Sequence, residues 1–153
     1  MIRHARITDA KAIHQLLLTY AKDGQLLGRS LADIYDAIRD FYVYEEGGCI
    51  LGIGALSICW ADLAEVRSLA VVPGQEGKGI GRKIVETCLH EAVELGLTRV
   101  FALTYQPDFF KRLGFKEIEK SELPQKVWGV CINCVKFPDC DEFAVAINLL
   151  DLK

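Results

Sequence analysis

The sequence predicts a mixed α/β protein in which helices flank the faces of a mixed sheet. Strand-like and helix-like apolar patterns alternate along the 153 residues in the order β-α-α-β-β-β-α-β-α-β-β. A glycine-rich turn separates a strand from a helix at residues 71–82, and the β-branched and aromatic run at 98–104 is typical of a buried strand. We expect a single domain spanning residues 1–153, because a chain of this length can bury a substantial core.

The predicted strands are β-prone runs bounded by turn residues. They are residues 2–7, 41–45, 49–60, 63–72, 98–104, 115–119 and 143–149. Gly47 and Gly48 form a hairpin signal between the second and third strands. Glycines at positions 52 and 54 indicate a bulge or a close approach of another element to the third strand.

The predicted helices carry apolar residues at helical spacing. Thr8 is placed to cap the first helix, and Ser30 is placed to cap the second. The third helix is predicted at residues 82–95 and a short fourth one at 108–113. Residues 123–142 contain two prolines and show little periodicity, so we predict a loop there.

Composition and charge exclude several classes of function. The chain is 51% hydrophobic and 25% charged, as in a folded globular protein. Its formal net charge of -3 gives no support to nucleic acid or an anionic membrane as a partner. No apolar run approaches the roughly 20 residues that span a bilayer, and residues 1–7 lack the apolar segment of a signal peptide. We therefore expect a cytoplasmic protein.

The turn at residues 71–82 is a candidate anion site and reads V-V-P-G-Q-E-G-K-G-I-G-R. Its glycines precede a helix, so several backbone N–H groups lie at the positive end of a helix dipole, where a phosphate or pyrophosphate binds well. The spacing matches neither a Walker A loop nor a dinucleotide fingerprint. The alternative is a turn that needs its glycines only for backbone geometry.

Two segments together resemble the GNAT family of N-acetyltransferases: residues 69–82, which contain this turn, and residues 109–115, which read F-F-K-R-L-G-F. The resemblance extends over essentially the whole chain. It implies the GNAT acyl-CoA N-acyltransferase fold, a splayed central mixed sheet flanked by helices, with acetyl-CoA as cosubstrate. Leu69, Ala70 and Val71 would offer backbone groups to the pantetheine arm. The pyrophosphate would be lined by Glu76, Gly77, Lys78, Gly79, Ile80, Gly81 and Arg82.

Glu76 departs from the family pattern, which usually has Arg or Gln before the first glycine of the turn. A carboxylate beside a pyrophosphate is electrostatically unfavourable. We expect the Glu76 side chain to turn to solvent while Lys78, Arg82 and Lys83 supply positive charge. On this view Glu76→Gln tightens acetyl-CoA binding.

The residues that lead into the turn suggest how the acetyl group is transferred. Glu65 and Arg67 share one strand face, and a carboxylate there could deprotonate the attacking ammonium, directly or through water. The alternative is a solvated Glu–Arg ion pair. Phe110 stands where many GNAT enzymes have a proton-donating tyrosine, so Tyr105 is the nearest substitute. Tyr105 could equally be a packing residue, and the thiolate could leave unprotonated.

A more specific resemblance concerns the acceptor. Residues 26–31, 103–110 and 123–134 resemble short, single-domain amino-acid N-acetyltransferases of the N-acetylglutamate synthase type. This implies glutamate as acceptor and the first step of arginine biosynthesis. A dicarboxylate requires cationic partners, and the candidates are Arg29, Ser30, Arg67 and Lys126. For each, the alternative is an ordinary surface cation or helix cap.

Other functions stay open. The acceptor could be glutamine, another amino acid or a protein N-terminus, and a non-catalytic acetyl-CoA-binding module is a third class. A homodimer is also open, since many GNAT proteins are dimers.

Cysteines cluster toward the end of the chain. Cys131, Cys134 and Cys140 have a tight pair of the kind that binds zinc, without an evident fourth ligand. A reduced, partly buried loop and a redox-sensitive cluster are the alternatives to a structural zinc. The other cysteines, at positions 49, 59 and 88, lie within apolar runs and are expected in the core.

Overall fold

The structure is a computed structural model that describes residues 1–22, 29–123 and 142–152. Its strands are β1 Ile2–His4, β2 Phe41–Glu46, β3 Cys49–Trp60, β4 Leu63–Val71, β5 Arg99–Thr104, β6 Lys116–Ile118 and β7 Phe143–Asn148. Its α-helices are α1 Ala10–Lys22, α2 Leu31–Asp36, α3 Ile80–Glu94 and α4 Pro107–Lys111. The element order predicted from the sequence is therefore confirmed.

The strands form a mixed sheet with the order β1-β2-β3-β4-β5-β7-β6. The pair β4–β5 is parallel. The pairs β1–β2, β2–β3, β5–β7 and β6–β7 are antiparallel. The mixed α/β class is confirmed by this arrangement.

The chain groups into two compact units, one of Met1–Ser57 with Val66–His90 and one of Ile58–Glu65 with Glu91–Lys153. In the first unit a core joins α1 and α2 to β2 and β3, and its fully buried large side chains are Ile13, Leu17, Ile34, Phe41, Val43 and Ile53. In the second unit a smaller core contains Leu63, Phe101, Leu123 and Ala146.

An ion-pair cluster fixes the N-terminal segment. Arg3 donates to both oxygens of Asp9, at 2.8 and 3.1 Å, and to Glu45 at 3.1 Å. The Asp9 carboxylate also accepts from the Arg6 N–H at 2.7 Å. The prediction of a Thr8 cap is wrong, because this bond makes Asp9 the capping side chain of a short 3-10 turn at Ile7–Asp9. For the same reason β1 ends at His4 and not at the predicted residue 7.

The predicted cap of the second helix is confirmed. The Ser30 side chain accepts from the Asp33 N–H at 3.1 Å, which satisfies one of the free donors at the start of α2. Ser30 thereby fixes where α2 begins, and Arg29 directly precedes this cap.

Close packing of α3 on β3 positions the glycine-rich turn. A Cβ on Gly52 would lie 2.7 Å from Ile80 Cγ2, and one on Gly54 would lie 2.6 Å from Ile84 Cγ2. Both glycines therefore permit a close approach, and the register of β2 and β3 also shifts beside Gly52, where Tyr44 is opposite Gly52 and Glu45 is opposite Ile50. The helix begins at Ile80, two residues earlier than predicted, so its first turn includes glycine-rich residues.

Candidate active site

The glycine-rich turn presents backbone donors at the start of α3. Gly74, Gly77 and Gly79 have φ angles of 91°, 80° and 82°, values that glycine adopts without steric cost. The Lys83 N–H donates to the Gly79 carbonyl at 3.1 Å, so the helical hydrogen bonds begin there. The first N–H groups of a helix have no partner within it, and those of Ile80 and the residues after it are available to an anion.

Open space adjoins these donors. A Cβ placed on Gly77 or on Gly79 would meet no heavy atom within 4 Å. Gly77 is exposed and Gly79 is half-buried. A ligand can therefore approach the backbone of the turn closely, as the prediction of an anion site requires.

The cations of the turn are held by weak surface contacts. Lys78 Nζ lies 3.0 Å from Gln75 Oε1. Arg82, with 66% of its side chain exposed, lies 3.5 Å from Glu86 in the next helical turn. Lys83 Nζ lies 5.7 Å from the centre of the Tyr44 ring. Exposed contacts of this kind contribute little, so Lys78 and Arg82 can reorient toward an anion at low cost.

Glu76 occupies an unexpected position. Its side chain is exposed, as expected, but its carboxylate also folds back along the turn and accepts from the Gly74 N–H at 2.8 Å. Its own backbone N–H and that of Gly74 lower the pKa of the Glu76 carboxyl, and the Tyr20 hydroxyl contributes in the same direction. Ionic hydrogen bonds to backbone N–H groups are stronger than neutral ones, which explains why the exposed carboxylate stays against the turn.

The end of β4 is tied to α1 by Tyr20. The Tyr20 hydroxyl donates a hydrogen bond to the carbonyl of Val71. Ala70 is buried, and its neighbours Leu69 and Val71 are half-buried. No sequence pattern indicates this contact, because Tyr20 has the spacing of the apolar residues on the inner face of α1.

The parallel ladder between β4 and β5 is short. It runs from Leu63 opposite Arg99 to Glu65 opposite Phe101. The ladder consists of three residue pairs and ends at Glu65 on β4. The backbone that the resemblance assigns to the pantetheine arm is therefore outside this ladder.

Arg29 reaches β4 from the start of α2. Its Nη1 donates to Ser68 Oγ at 3.3 Å, and its Cζ lies 5.4 Å from the centre of the Phe41 ring. Ser68 is the one non-glycine residue with positive φ, 56°, in the described part of the chain. The structure thus brings two of the predicted acceptor-binding residues to one strand, since Arg67, half-buried, directly precedes Ser68.

Glu65 and Tyr105 lie in the second unit at different levels of the sheet. Glu65 is half-buried and is opposite Phe101 in the parallel ladder. Tyr105 is half-buried and directly follows β5, four residues after Phe101. That separation corresponds to ~13 Å along an extended strand. The structure therefore does not place these two predicted catalytic residues side by side along the strands.

Phe110 is a packing residue. Its side chain is 4% exposed and makes edge contacts with Phe109 and Phe115, with ring centres 5.1 Å apart in each pair. This agrees with the expectation that Phe110 supplies no proton.

Several predicted residues lie outside the described part of the chain, namely Lys126, Cys131, Cys134 and Cys140. Within residues 1–22, 29–123 and 142–152, no group of three or more His, Cys, Asp or Glu side chains could hold a metal ion. Cys88 is buried as expected, but Cys49 is exposed and that expectation is wrong. It is the first residue of β3 and follows the hairpin turn, which places it at the surface.

No helix in the portion of the chain that the structure describes has the length and apolarity to cross a membrane.

The fold and the turn agree with comparisons to known proteins. Residues 10–115 match the Acetyltransferase (GNAT) family. The chain belongs to this family, and it is an acetyltransferase. The family resemblance and the GNAT fold that the sequence predicted are both confirmed.

Two relatives share much of the sequence. An uncharacterized N-acetyltransferase from Chlorobaculum tepidum is 45% identical over 148 residues, which are 97% of this chain and 96% of that protein. An amino-acid acetyltransferase from Mycobacterium tuberculosis is 43% identical over 132 residues, which are 84% of this chain and 75% of that protein.

Two solved structures share the fold. Rv2747 from Mycobacterium tuberculosis, in complex with CoA and NLQ, has a TM-score of 0.84 and 35% identity, and the match covers 97% of this chain and 98% of that one. N-acetylglutamate synthase from Neisseria gonorrhoeae, complexed with coenzyme A and N-acetyl-glutamate, has a TM-score of 0.86 and 26% identity. That match covers 97% of this chain and 35% of the longer one.

Proposed function

We propose that this protein transfers the acetyl group of acetyl-CoA to the α-amino group of an amino acid, with L-glutamate as the acceptor. The observation that carries the proposal is the turn before α3, whose backbone donors adjoin open space suited to a pyrophosphate. The Mycobacterium tuberculosis relative is named an amino-acid acetyltransferase, and the Neisseria gonorrhoeae structure contains CoA and N-acetyl-glutamate. With glutamate as acceptor, the reaction is the first step of arginine biosynthesis.

In this proposal the cosubstrate binds along β4 and the turn. Backbone groups of Leu69, Ala70 and Val71 hold the pantetheine arm and the thioester carbonyl. The pyrophosphate binds the N–H groups from Gly77 to Arg82. Lys78 and Arg82 turn toward it, since their surface contacts cost little to break.

The acetyl group then moves in one nucleophilic step. Glu65 takes a proton from the ammonium of the acceptor, directly or through water, because only the free amine attacks. The new C–N bond forms as a backbone N–H stabilises the developing oxyanion. The C–S bond breaks, and Tyr105 protonates the departing thiolate.

The acceptor is recognised through its carboxylates. Arg29 is held beside β4 by Ser68 and Phe41, so its guanidinium is pre-organised. Arg67 and Lys126 are the other cations assigned to the acceptor, and the hydroxyl of Ser30 is assigned beside Arg29. A planar guanidinium suits a carboxylate because it donates two parallel hydrogen bonds.

The test of function measures CoA thiol release from acetyl-CoA against a panel of amino acids. Turnover that is fastest with L-glutamate supports the proposal. Turnover only with glutamine, other amino acids or a peptide N-terminus would replace glutamate by that acceptor. Binding of acetyl-CoA without turnover on any amine would contradict the enzymatic proposal.

A second experiment tests the role of Arg29 with a matched control. Arg29→Ala removes a charge-assisted hydrogen bond, so we expect the KM for glutamate to rise about tenfold to a hundredfold with little change in the KM for acetyl-CoA. Arg39→Ala removes an arginine that lies just before β2 and has no assigned role in the site, so both constants should stay near those of the wild type. An unchanged KM for glutamate in Arg29→Ala would show that Arg29 does not bind the acceptor.

A further inference from the structure

Tyr20 and Glu76 meet at the start of the glycine-rich turn. The Tyr20 hydroxyl donates to the Val71 carbonyl and lies 3.4 Å from Glu76 Oε1. A phenol has one proton to donate, and the Tyr20 hydroxyl donates it to the Val71 carbonyl. The same hydroxyl thus holds the end of β4 and contacts the Glu76 carboxylate.

Glu76 fastens the other end of the same segment. Its carboxylate accepts from the Gly74 N–H at 2.8 Å, and Gly74 has the left-handed φ of 91°. A glycine in this conformation has more backbone freedom to lose than any other residue. The hydrogen bond from Gly74 to Glu76 removes that freedom before a ligand arrives.

Two backbone hydrogen bonds complete the segment. The Val72 N–H donates to the Leu51 carbonyl at 2.8 Å, and the Gln75 N–H donates to the Val72 carbonyl at 2.9 Å. Hydrogen bonds therefore fix residues 71–76 at both ends and in the middle, immediately before the backbone N–H groups proposed to bind the pyrophosphate. A loop that is ordered in advance binds its ligand more tightly, because less entropy is lost on binding.

We propose that Tyr20 and Glu76 are positioning residues that hold the start of the turn in the shape that binds acetyl-CoA. This inference rests on the proposed function, since it concerns the same cosubstrate site. In this role Glu76 favours acetyl-CoA binding as a hydrogen-bond acceptor within the turn, while its negative charge beside the pyrophosphate disfavours binding. It also explains how a carboxylate is tolerated beside a pyrophosphate: its oxygens bind Gly74 and lie against Tyr20.

The experiment compares Glu76→Gln with Glu76→Ala, because both variants remove the charge and only glutamine keeps an acceptor oxygen. We measure the Kd of acetyl-CoA by titration calorimetry, together with kcat and both KM values. Glu76→Gln should bind acetyl-CoA at least as tightly as the wild type. Glu76→Ala should bind about three- to tenfold more weakly than Glu76→Gln, which is the contribution expected of one hydrogen bond.

Tyr20→Phe provides the second test, with Tyr35→Phe as control. Loss of the Tyr20 hydroxyl should weaken acetyl-CoA binding about three- to tenfold, while kcat at saturation and the KM for the amino acid stay within about twofold. Tyr35 is an exposed tyrosine on α2, and its variant should match the wild type. A purely structural role for Tyr20 would lower thermal stability without this selective effect on acetyl-CoA.

The outcomes separate this inference from the proposed function. A wild-type protein that does not bind acetyl-CoA overturns both. If the wild type binds and turns over, equal affinity of Glu76→Gln and Glu76→Ala overturns the role of Glu76, and unchanged affinity of Tyr20→Phe overturns that of Tyr20. Should Tyr20→Phe fail to fold, the Glu76 pair decides, because Glu76 lies in a surface turn and its variants leave the core intact.

Discussion

Replacing Gly54 with alanine places a methyl group where α3 packs on β3. The new Cβ would lie 2.6 Å from Ile84 Cγ2 and 3.2 Å from Leu69 Cδ1. Ile84 is fully buried, so its side chain has no solvent-facing space into which it can move. The contact is relieved only if the helix moves away from the strand.

The expected size of the effect follows from two opposing contributions. Overpacking a core by one methyl group costs about 1–3 kcal/mol, whereas replacing glycine by alanine within a strand recovers roughly 0.5–1 kcal/mol. We therefore expect Gly54→Ala to lower the free energy of unfolding by about 1–2 kcal/mol. Because the turn is joined to the start of α3, acetyl-CoA affinity should fall as well.

The assay is urea unfolding of Gly54→Ala, Ile84→Ala and the double variant. Ile84→Ala alone should cost about 2–5 kcal/mol, because it leaves a cavity. In the double variant the methyl group added at position 54 partly fills that cavity, so the loss of stability should be smaller than the sum of the single losses by roughly 1 kcal/mol or more. Unchanged stability of Gly54→Ala, or strict additivity in the double variant, would refute the packing argument.

Two further predictions concern ionisable groups. Glu65→Gln should lower kcat about 10²- to 10⁴-fold and leave acetyl-CoA affinity unchanged, because general-base catalysis typically accelerates a reaction by this factor. An unchanged kcat in the acetyl-transfer assay would show that another group takes the proton. Arg3 lowers the pKa of Asp9 in the folded state, so this ion pair stabilises the fold above the ordinary Asp pKa of about 3.9 and is lost as the pH falls through the lowered value. In urea unfolding, Asp9→Asn should therefore have a lower free energy of unfolding than the wild type at about pH 7, and this difference should shrink near pH 2. An equal difference in the free energy of unfolding at both pH values would contradict the role of the ion pair.

The order of elements could be predicted because it is encoded locally. The spacing of apolar residues and the turn glycines indicate whether each segment is a helix or a strand, without knowledge of the segments it packs against. The Ser30 cap is also local, since its bond to Asp33 spans three residues. The prediction of a Thr8 cap is wrong because Asp9, one residue later, accepts from the Arg6 backbone N–H and forms an ion pair with Arg3.

The site itself depends on contacts that no local pattern encodes. Tyr20 and Val71 are 51 residues apart, and Arg29 and Ser68 are 39 apart. The glycine-rich turn was recognisable because its sequence is contiguous and its chemistry lies in the backbone. The orientation of the Glu76 carboxylate could not be predicted, because it results from a competition between solvent and nearby N–H groups.

Ser68 shows that this fold is not optimised for stability alone. Its φ of 56° is a conformation that costs a residue with a Cβ roughly 1–2 kcal/mol. The hydrogen bond that Ser68 accepts from Arg29 has a net value of similar size. Selection for stability alone would favour glycine at position 68. Selection for a fixed Arg29 guanidinium beside β4 would retain serine, so stability and function favour different residues there.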